Sequence, residues 1–125
     1  EQPWRIILTH DASSIPADSI CLTDEFRDRT LVVENVFNYL ELLKKLYNNK
    51  KIGTILLEAG GCLVREFLKA GLVDEWVGFY APIIIGGGTD GVAPGPFLEH
   101  EAYLEQPVVN IFGDDVCIRG DICYR

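Results

Sequence analysis

The alternation of short apolar runs with amphipathic segments is the feature that most constrains the fold of this chain. Three apolar runs predict strands, and they lie at 4–9, 30–34 and 52–58. Two stretches with helical spacing predict helices, at 36–47 and 61–70, and Gly71 is predicted to end the second. Strands that alternate with helices favour an α/β fold with a parallel sheet and right-handed crossovers.

The predicted elements differ in how much of their surface is apolar. The run 52–58 has no polar face and is short, which is typical of a buried central strand of a parallel sheet. The short segment 19–23 is interpreted as a further strand. The first helix is predicted to bury a face formed by Tyr39, Leu40, Leu43, Leu46 and Tyr47. The second is predicted to bury Leu63, Val64, Phe67 and Leu68.

The C-terminal part of the chain predicts antiparallel structure. A strand is predicted over 73–85, and residues 86–97 are predicted to form a loop because they include five glycines and two prolines. The tail predicts two strands joined at 113–115, the second with the alternation of a half-buried strand. We therefore expect one domain over 1–125 with a mixed sheet, parallel in the centre and closed by an antiparallel hairpin.

Charge and cysteine spacing exclude several classes of function. The chain has 19 acidic and 11 basic residues, for a formal charge of -8, and its basic residues form no stripe, so nucleic acid is not an expected partner. No apolar run reaches the roughly 18 residues that a membrane span needs, and no membrane partner is expected. The four cysteines form no CxxC pair, so we expect reduced thiols, no metal site and a cytoplasmic location.

The stretch "TILLEAGGCLVREFL", from Thr54 to Leu68, joins a predicted strand to a predicted helix. Gly60 and Gly61 would let an anionic group approach the N-H groups at the helix start, and Glu58 would offer an acceptor beside it. Cys62 lies where a thiolate would be stabilised, but no histidine shares its motif, so a nucleophilic role is disfavoured. The residues alone predict a phosphate or dinucleotide site around Gly60.

Three other candidates are interpreted as ordinary surface or loop residues. Asp74 and Glu75 are adjacent, but no opposing acid lies at a defined separation, so we expect them in solvent at the start of a strand. His10 follows the first predicted strand and is interpreted as a loop residue, with a ligand contact as the alternative. His100 is expected at the surface.

The segment "ILLEAGGCLVREFLKAGLVDEWVGFYAPIIIGGG" resembles the C-terminal reductase domain of the bifunctional riboflavin biosynthesis protein RibD. The matching motifs are Glu58-Ala59-Gly60, Leu63, residues 70–75, Ala81-Pro82 and Gly86-Gly87. The flanks "PWRIIL" and "GDDVCIRG" match more loosely, and Thr9 stands where the family usually has Asp. The resemblance implies a dihydrofolate-reductase-like α/β fold, with a mixed sheet, a parallel centre, an antiparallel C-terminal hairpin and helices on both faces.

The resemblance also implies an activity and a set of contacts. The family reduces the ribosyl group of 5-amino-6-(5-phosphoribosylamino)uracil to ribityl with NADPH. By this resemblance Glu58 contacts the pyrimidine substrate. The cofactor would be lined by Gly60, Gly61, Cys62, Leu63, Val64, Arg65 and Glu66. No catalytic base is assigned, because the protein's contribution to such hydride transfer is orientation and desolvation.

Three hypotheses remain open from the sequence. The first is an N-terminally truncated piece of such a reductase, whose isolated chain binds NADPH weakly or not at all and is inactive. The second is a non-catalytic remnant or dimerisation module. The third is a dihydrofolate-reductase-like enzyme that acts on another pterin or pyrimidine. In the family, a segment that precedes "PWRII" covers sheet edges and apolar surface. Without that segment these surfaces would be uncovered, so a homodimer is expected.

Overall fold

The computed structural model describes residues 2–84, 86 and 98–125. Its strands are β1 (Arg5–Thr9), β2 (Thr30–Glu34), β3 (Glu75–Tyr80), β4 (Ala102–Phe112) and β5 (Asp115–Tyr124). Its α-helices are α1 (Ile20–Thr23), α2 (Tyr39–Lys50) and α3 (Gly61–Lys69). The chain divides into two compact units, Glu1–Ile55 and Leu56–Arg125, which are described separately below.

The first unit contains a parallel pair of strands. β1 and β2 pair from Arg5 opposite Thr30 to Thr9 opposite Glu34, which confirms the predicted strands at 4–9 and 30–34. The prediction of a strand at 19–23 was wrong, because Ile20–Thr23 form one turn of helix. So short an apolar run does not distinguish a strand from a buried helical turn.

A bidentate ion pair fastens α1 and the residue after it to β1. Arg5 donates from Nη1 and Nη2 to the two carboxylate oxygens of Asp24, at 2.6 and 2.8 Å, and from Nη2 to the carbonyl of Cys21 at 3.1 Å. The hydrogen bonds from Arg5 hold the pKa of Asp24 below its usual value. The arginine at the start of this strand therefore has a structural partner within its own unit.

Helix α2 lies three residues later than predicted, and its buried face matches the prediction in part. It begins after Asn38, whose side chain accepts from the Glu41 N-H at 3.0 Å. Its buried residues are Leu42 and Leu46. Of the predicted face, Leu46 is therefore confirmed, Tyr39 and Leu43 are half-buried, and Leu40 and Tyr47 are exposed. In a helix with several large apolar residues, the face is set by what it packs against, and spacing alone leaves it uncertain.

The prediction of a buried strand at 52–58 was wrong. These residues adopt no regular secondary structure, and Leu56 is 81% exposed. A central strand needs a hydrogen-bonding partner on each side, and neither sheet of the described residues includes this segment. An apolar run indicates that residues favour burial, but it does not supply the neighbouring strands.

Helix α3 confirms its prediction closely. It covers Gly61–Lys69 and buries Phe67 and Leu68, while Leu63 and Val64 are half-buried. Its C-terminus is a Schellman motif, in which the Leu72 N-H donates to the Phe67 carbonyl and the Gly71 N-H to the Leu68 carbonyl, both at 3.0 Å. Gly71 has φ +65°, a conformation that favours glycine, and it ends the helix as predicted.

The second unit also contains a three-stranded antiparallel sheet with the order β3-β5-β4. The predicted hairpin is confirmed, and its turn contains Gly113 at φ +64°. β3 is shorter than the predicted 73–85, and the predicted loop at 86–97 lies outside the described residues apart from Gly86. On β5 the buried residue is Cys117.

Two local features shape this sheet. The Tyr124 hydroxyl donates to the carbonyl of Val73 and accepts from its N-H, both at 3.0 Å, and burial raises the pKa of Tyr124. β4 carries a bulge at Gln106 and Pro107, which together oppose the single residue Gly120 of β5. A Cβ at Gly120 would lie 3.1 Å from the Glu105 carbonyl oxygen, so the bulge fits best against glycine.

The fold class is confirmed as mixed α/β with parallel strands and an antiparallel C-terminal hairpin, although the described parallel and antiparallel strands lie in separate sheets. All four cysteines are free thiols. Across residues 2–84, 86 and 98–125, none of the helices combines the length and the apolar character needed to cross a bilayer.

Candidate functional site

The predicted site residues lie along one continuous segment, from Glu58 to the middle of α3. Glu58 is exposed and precedes the helix by three residues, and Gly60 is the N-cap of α3. The first intrahelical bonds run from the N-H groups of Leu63 and Val64 to the Gly60 carbonyl, at 3.0 and 3.3 Å. The N-H groups before them have no acceptor within the helix, as at every helix start.

The start of α3 differs from the start of α2 because no side chain caps it. Asn38 satisfies a first-turn N-H of α2 with its own side chain, whereas no side chain of the described residues caps α3. Uncapped N-H groups at a helix N-terminus carry a partial positive charge and bind phosphate or carboxylate groups. The site therefore offers an anion the backbone donors that a cap would otherwise use.

Gly60 itself leaves open space at this point. Its φ of -65° and ψ of 156° are accessible to any residue, so backbone conformation does not require glycine. No other atom lies within 4 Å of the position that a Cβ would take, so crowding does not require it either. The missing side chain instead gives a ligand access to the helix start, which fits a bound phosphate group.

The side chains that follow provide varied surfaces. Cys62 and Glu66 are exposed, and Leu63 and Val64 are half-buried. Arg65 is half-buried, and its Nη1 atom is enclosed without a hydrogen-bond partner in the described part of the chain.

The other candidates lie away from this segment in the chain. Glu75 begins β3 and pairs with Arg119 at 3.2 Å, and Asp74 is exposed, as predicted. His10 is exposed in the loop after β1, and His100 is exposed as predicted. Among the residues that the structure describes, no group of three or more His, Cys, Asp or Glu side chains is placed to hold a metal ion.

Sequence reasoning missed a polar cluster at the carboxyl ends of β1 and β2. Glu34 accepts from the Ala12 N-H at 2.6 Å, and Asp11 accepts from the N-H and hydroxyl of Ser13 at 2.8 and 2.6 Å. These bonds hold the pKa of Asp11 below its usual value. The signal was available, because carboxyl ends of parallel strands meet at one edge, where ligands bind in α/β proteins.

Comparison with known proteins gives the family. The model of the RibD C-terminal domain matches residues 1–118. The riboflavin biosynthesis protein RibD of Escherichia coli strain K12 is 34% identical over 95 residues, which cover 72% of this chain and 26% of that protein.

Two solved structures are similar in fold. Acinetobacter baumannii RibD (form 2) superposes with a TM-score of 0.78 and 23% identity, over 97% of this chain and 38% of that one. A pyrimidine reductase-like protein from Corynebacterium diphtheriae has a TM-score of 0.58 and 16% identity, over 94% of this chain and 50% of that one.

These likenesses define the fold as that of the RibD reductase domains. The chain belongs to the RibD C-terminal domain family. It spans about a quarter of the length of the curated relatives that it matches.

Proposed function

We propose that the full-length gene product that contains this chain is a reductase of riboflavin biosynthesis. It reduces the ribosyl group of 5-amino-6-(5-phosphoribosylamino)uracil to ribityl, with NADPH as the reductant. The observation that supports this most is the uncapped, open start of α3 at Gly60, which follows Glu58 within a sequence of the RibD C-terminal domain family. The similarity to a pyrimidine reductase-like protein is consistent with a pyrimidine substrate.

The chain's own residues orient the two ligands in this proposal. The backbone N-H groups at the start of α3 bind phosphate oxygens of the cofactor, and the half-buried Leu63 and Val64 exclude water beside it. The exposed Glu58 accepts hydrogen bonds from N-H groups of the pyrimidine. NADPH supplies the hydride when bound, and the protein supplies proximity and a fixed orientation.

We expect the full-length gene product to consume NADPH only when the phosphoribosylaminopyrimidine is present, measured as loss of the reduced cofactor's absorbance. Dihydrofolate is the control substrate. Turnover with dihydrofolate but not with the pyrimidine would favour the alternative enzyme class. The isolated 125 residues are expected to bind NADPH weakly and to be inactive. Tight, saturable binding in a fluorescence titration of that chain would contradict this part of the proposal.

We also propose that copies of the chain associate through the β3-β5-β4 sheet. Phe79 and Phe112 are 65% and 60% exposed, and their ring centroids lie 6.0 Å apart. Exposed apolar surface of this kind marks an interaction surface, and it favours the dimerisation module as the second candidate function.

Sedimentation measures this association directly. We expect the protein to be a dimer and Phe79→Glu to shift it toward monomers, because a buried charge in an apolar interface is unfavourable. Tyr47→Glu is the control, because Tyr47 is an aromatic residue of α2 that is 59% exposed. A monomeric wild-type protein, or equal effects of the two variants, would contradict the proposal. Dimers that bind no NADPH would favour the non-catalytic module.

A further inference from the structure

β4 lies at an edge of the three-stranded sheet, and the described part of the chain pairs it with β5 alone. On β5, the Ile122 N-H donates to the carbonyl of the residue before β3, at 2.8 Å. The hydrogen-bonding direction alternates along a strand, so Ile118 and Val116 also point toward β3. Their partners on β4, Val109 and Ile111, therefore direct their N-H and C=O groups away from β5, to the open edge.

The segment Val108–Phe112 of β4 lacks the features that protect an edge strand. Natural edges are shielded by charged side chains, prolines or bulges. The bulge at Gln106 and Pro107 ends just before this segment, and the five residues that follow are uncharged. Their four apolar side chains are 52–74% exposed and lie on both faces of the sheet. The other edge strand, β3, begins with the charged Glu75, so β4 has the edge better suited to accept another strand.

We infer that Val108–Phe112 pairs antiparallel with the same segment of a second copy, about a twofold axis at Asn110. The inference rests on the proposed association of copies, and it names the strand and the register that form the contact. Val109 lies opposite Ile111 of the second copy, and the end residues of the segment lie opposite each other, so apolar side chains meet on both faces. The two Asn110 amides meet at the axis, where each offers a donor and an acceptor.

The bulge and the hairpin turn select this register. Residues with outward-directed groups must face each other, which allows axes at positions 109, 110 and 111. An axis at Val109 would place Ile111 opposite Pro107 of the second copy, which has no N-H to donate. An axis at Ile111 would place Val109 opposite Gly113, which lies beyond the end of β4. The axis at Asn110 pairs all five residues.

Disulfide cross-linking of the full-length gene product tests the register. Asn110→Cys places two thiols opposite each other in a non-hydrogen-bonded pair, whose Cα atoms lie about 4.5 Å apart, within the range of a disulfide. Val109→Cys is the matched control, because its thiol faces position 111 of the second copy instead of its own counterpart. Both variants also carry Cys117→Ala, since Cys117 lies opposite position 110 on β5 and would compete for the new thiol.

The cross-linked dimer is measured on a non-reducing gel after mild oxidation. Its yield from Asn110→Cys is expected to exceed that from Val109→Cys by roughly tenfold or more, because only the first pair meets the geometry of a disulfide. The Cys117→Ala protein without a new thiol gives the background from the three remaining cysteines. Equal yields from the two variants, or yields at the background, would overturn the inference.

The dissociation constant of the dimer tests the same edge without a cross-link. Ile111→Lys is expected to raise it by roughly tenfold or more, because a lysine is compatible with an open edge but opposes pairing with another strand. Ile20→Lys is the matched control, since Ile20 is exposed to a similar extent in the first unit. It is expected to leave the constant within about twofold of wild type. Unchanged circular dichroism confirms that both variants fold.

The outcomes separate this inference from the other proposals. Phe79 lies on β3, away from the open edge, and contacts β4 through the ring of Phe112. A dimeric Ile111→Lys variant beside a monomeric Phe79→Glu variant would overturn the edge pairing and leave the association through the sheet intact. A monomeric wild-type protein would overturn both. Failure of the reductase proposal is recognised separately, because NADPH consumption is measured on the same proteins.

Discussion

Glu58→Gln is expected to lower the kcat/KM of the full-length gene product by roughly tenfold to a hundredfold, which is the usual effect of losing one charge-assisted hydrogen bond. The glutamine keeps the shape of the side chain but replaces one acceptor oxygen by a donor NH2 group. A pyrimidine N-H that donates to the carboxylate would then face a second donor. Steady-state kinetics with the phosphoribosylaminopyrimidine and NADPH would measure the change.

The same substitution is expected to leave the folded protein intact. Glu58 is exposed and makes no hydrogen bond or ion pair within the described residues, so its charge stabilises no neighbouring group there. Glu25→Gln is the matched control, because Glu25 is also exposed but lies on the first unit. Unchanged kinetics in Glu58→Gln, or an equal loss in Glu25→Gln, would remove Glu58 from the site.

Phe67→Ala is expected to reduce the free energy of unfolding by about 3–5 kcal/mol, the typical cost of deleting a buried phenylalanine ring. Phe67 is only 6% exposed, and its carbonyl also accepts the bond from Leu72 that closes α3. A loss of this size is a large fraction of the stability of an ordinary domain. Chemical denaturation followed by circular dichroism would measure it.

Phe37→Ala is the control for this prediction. It removes the same atoms from a side chain that is 90% exposed, and it should change the free energy by less than about 0.5 kcal/mol. Phe67→Leu keeps most of the buried volume and is expected to cost less than about 1.5 kcal/mol, so it gives a folded comparison if the alanine variant fails to fold. Equal losses at positions 37 and 67 would contradict the burial of Phe67.

Local signals made the confirmed elements predictable. β1, β2 and the hairpin have β-branched runs bounded by turn residues, and α3 has an amphipathic pattern ended by Gly71. The apolar run 52–58 did not by itself determine a strand, because whether such a run becomes a strand depends on partner strands elsewhere in the fold. The buried face of α2 was predicted only in part for a related reason, since Leu42 and Leu40 are equally apolar and only packing distinguishes them.

The sequence predicted where the candidate site lies in the chain, but it did not predict which atoms surround its residues. The spacing of Glu58 and the glycine pair identifies the start of α3 from the sequence alone. No sequence pattern showed that Gly60 faces open space or that Nη1 of Arg65 is buried without a hydrogen-bond partner, because both properties depend on which atoms are nearby in three dimensions. Sequence reasoning also weighed His10 alone and overlooked Asp11 and Glu34, which organise the loop beside it.

The bulge at Gln106 and Pro107 is a position in β4 at which related chains can lose one residue without changing the strand pairing. Glu105 and Val108 are three residues apart, yet they face Asp121 and Arg119, which are two apart. The extra residue therefore shifts the phase of the alternation in β4, and both halves of the strand keep their side chains on matching faces. A homologue one residue shorter at this point would preserve every other cross-strand pair, whereas the same deletion elsewhere in β4 would move the following side chains to the opposite face.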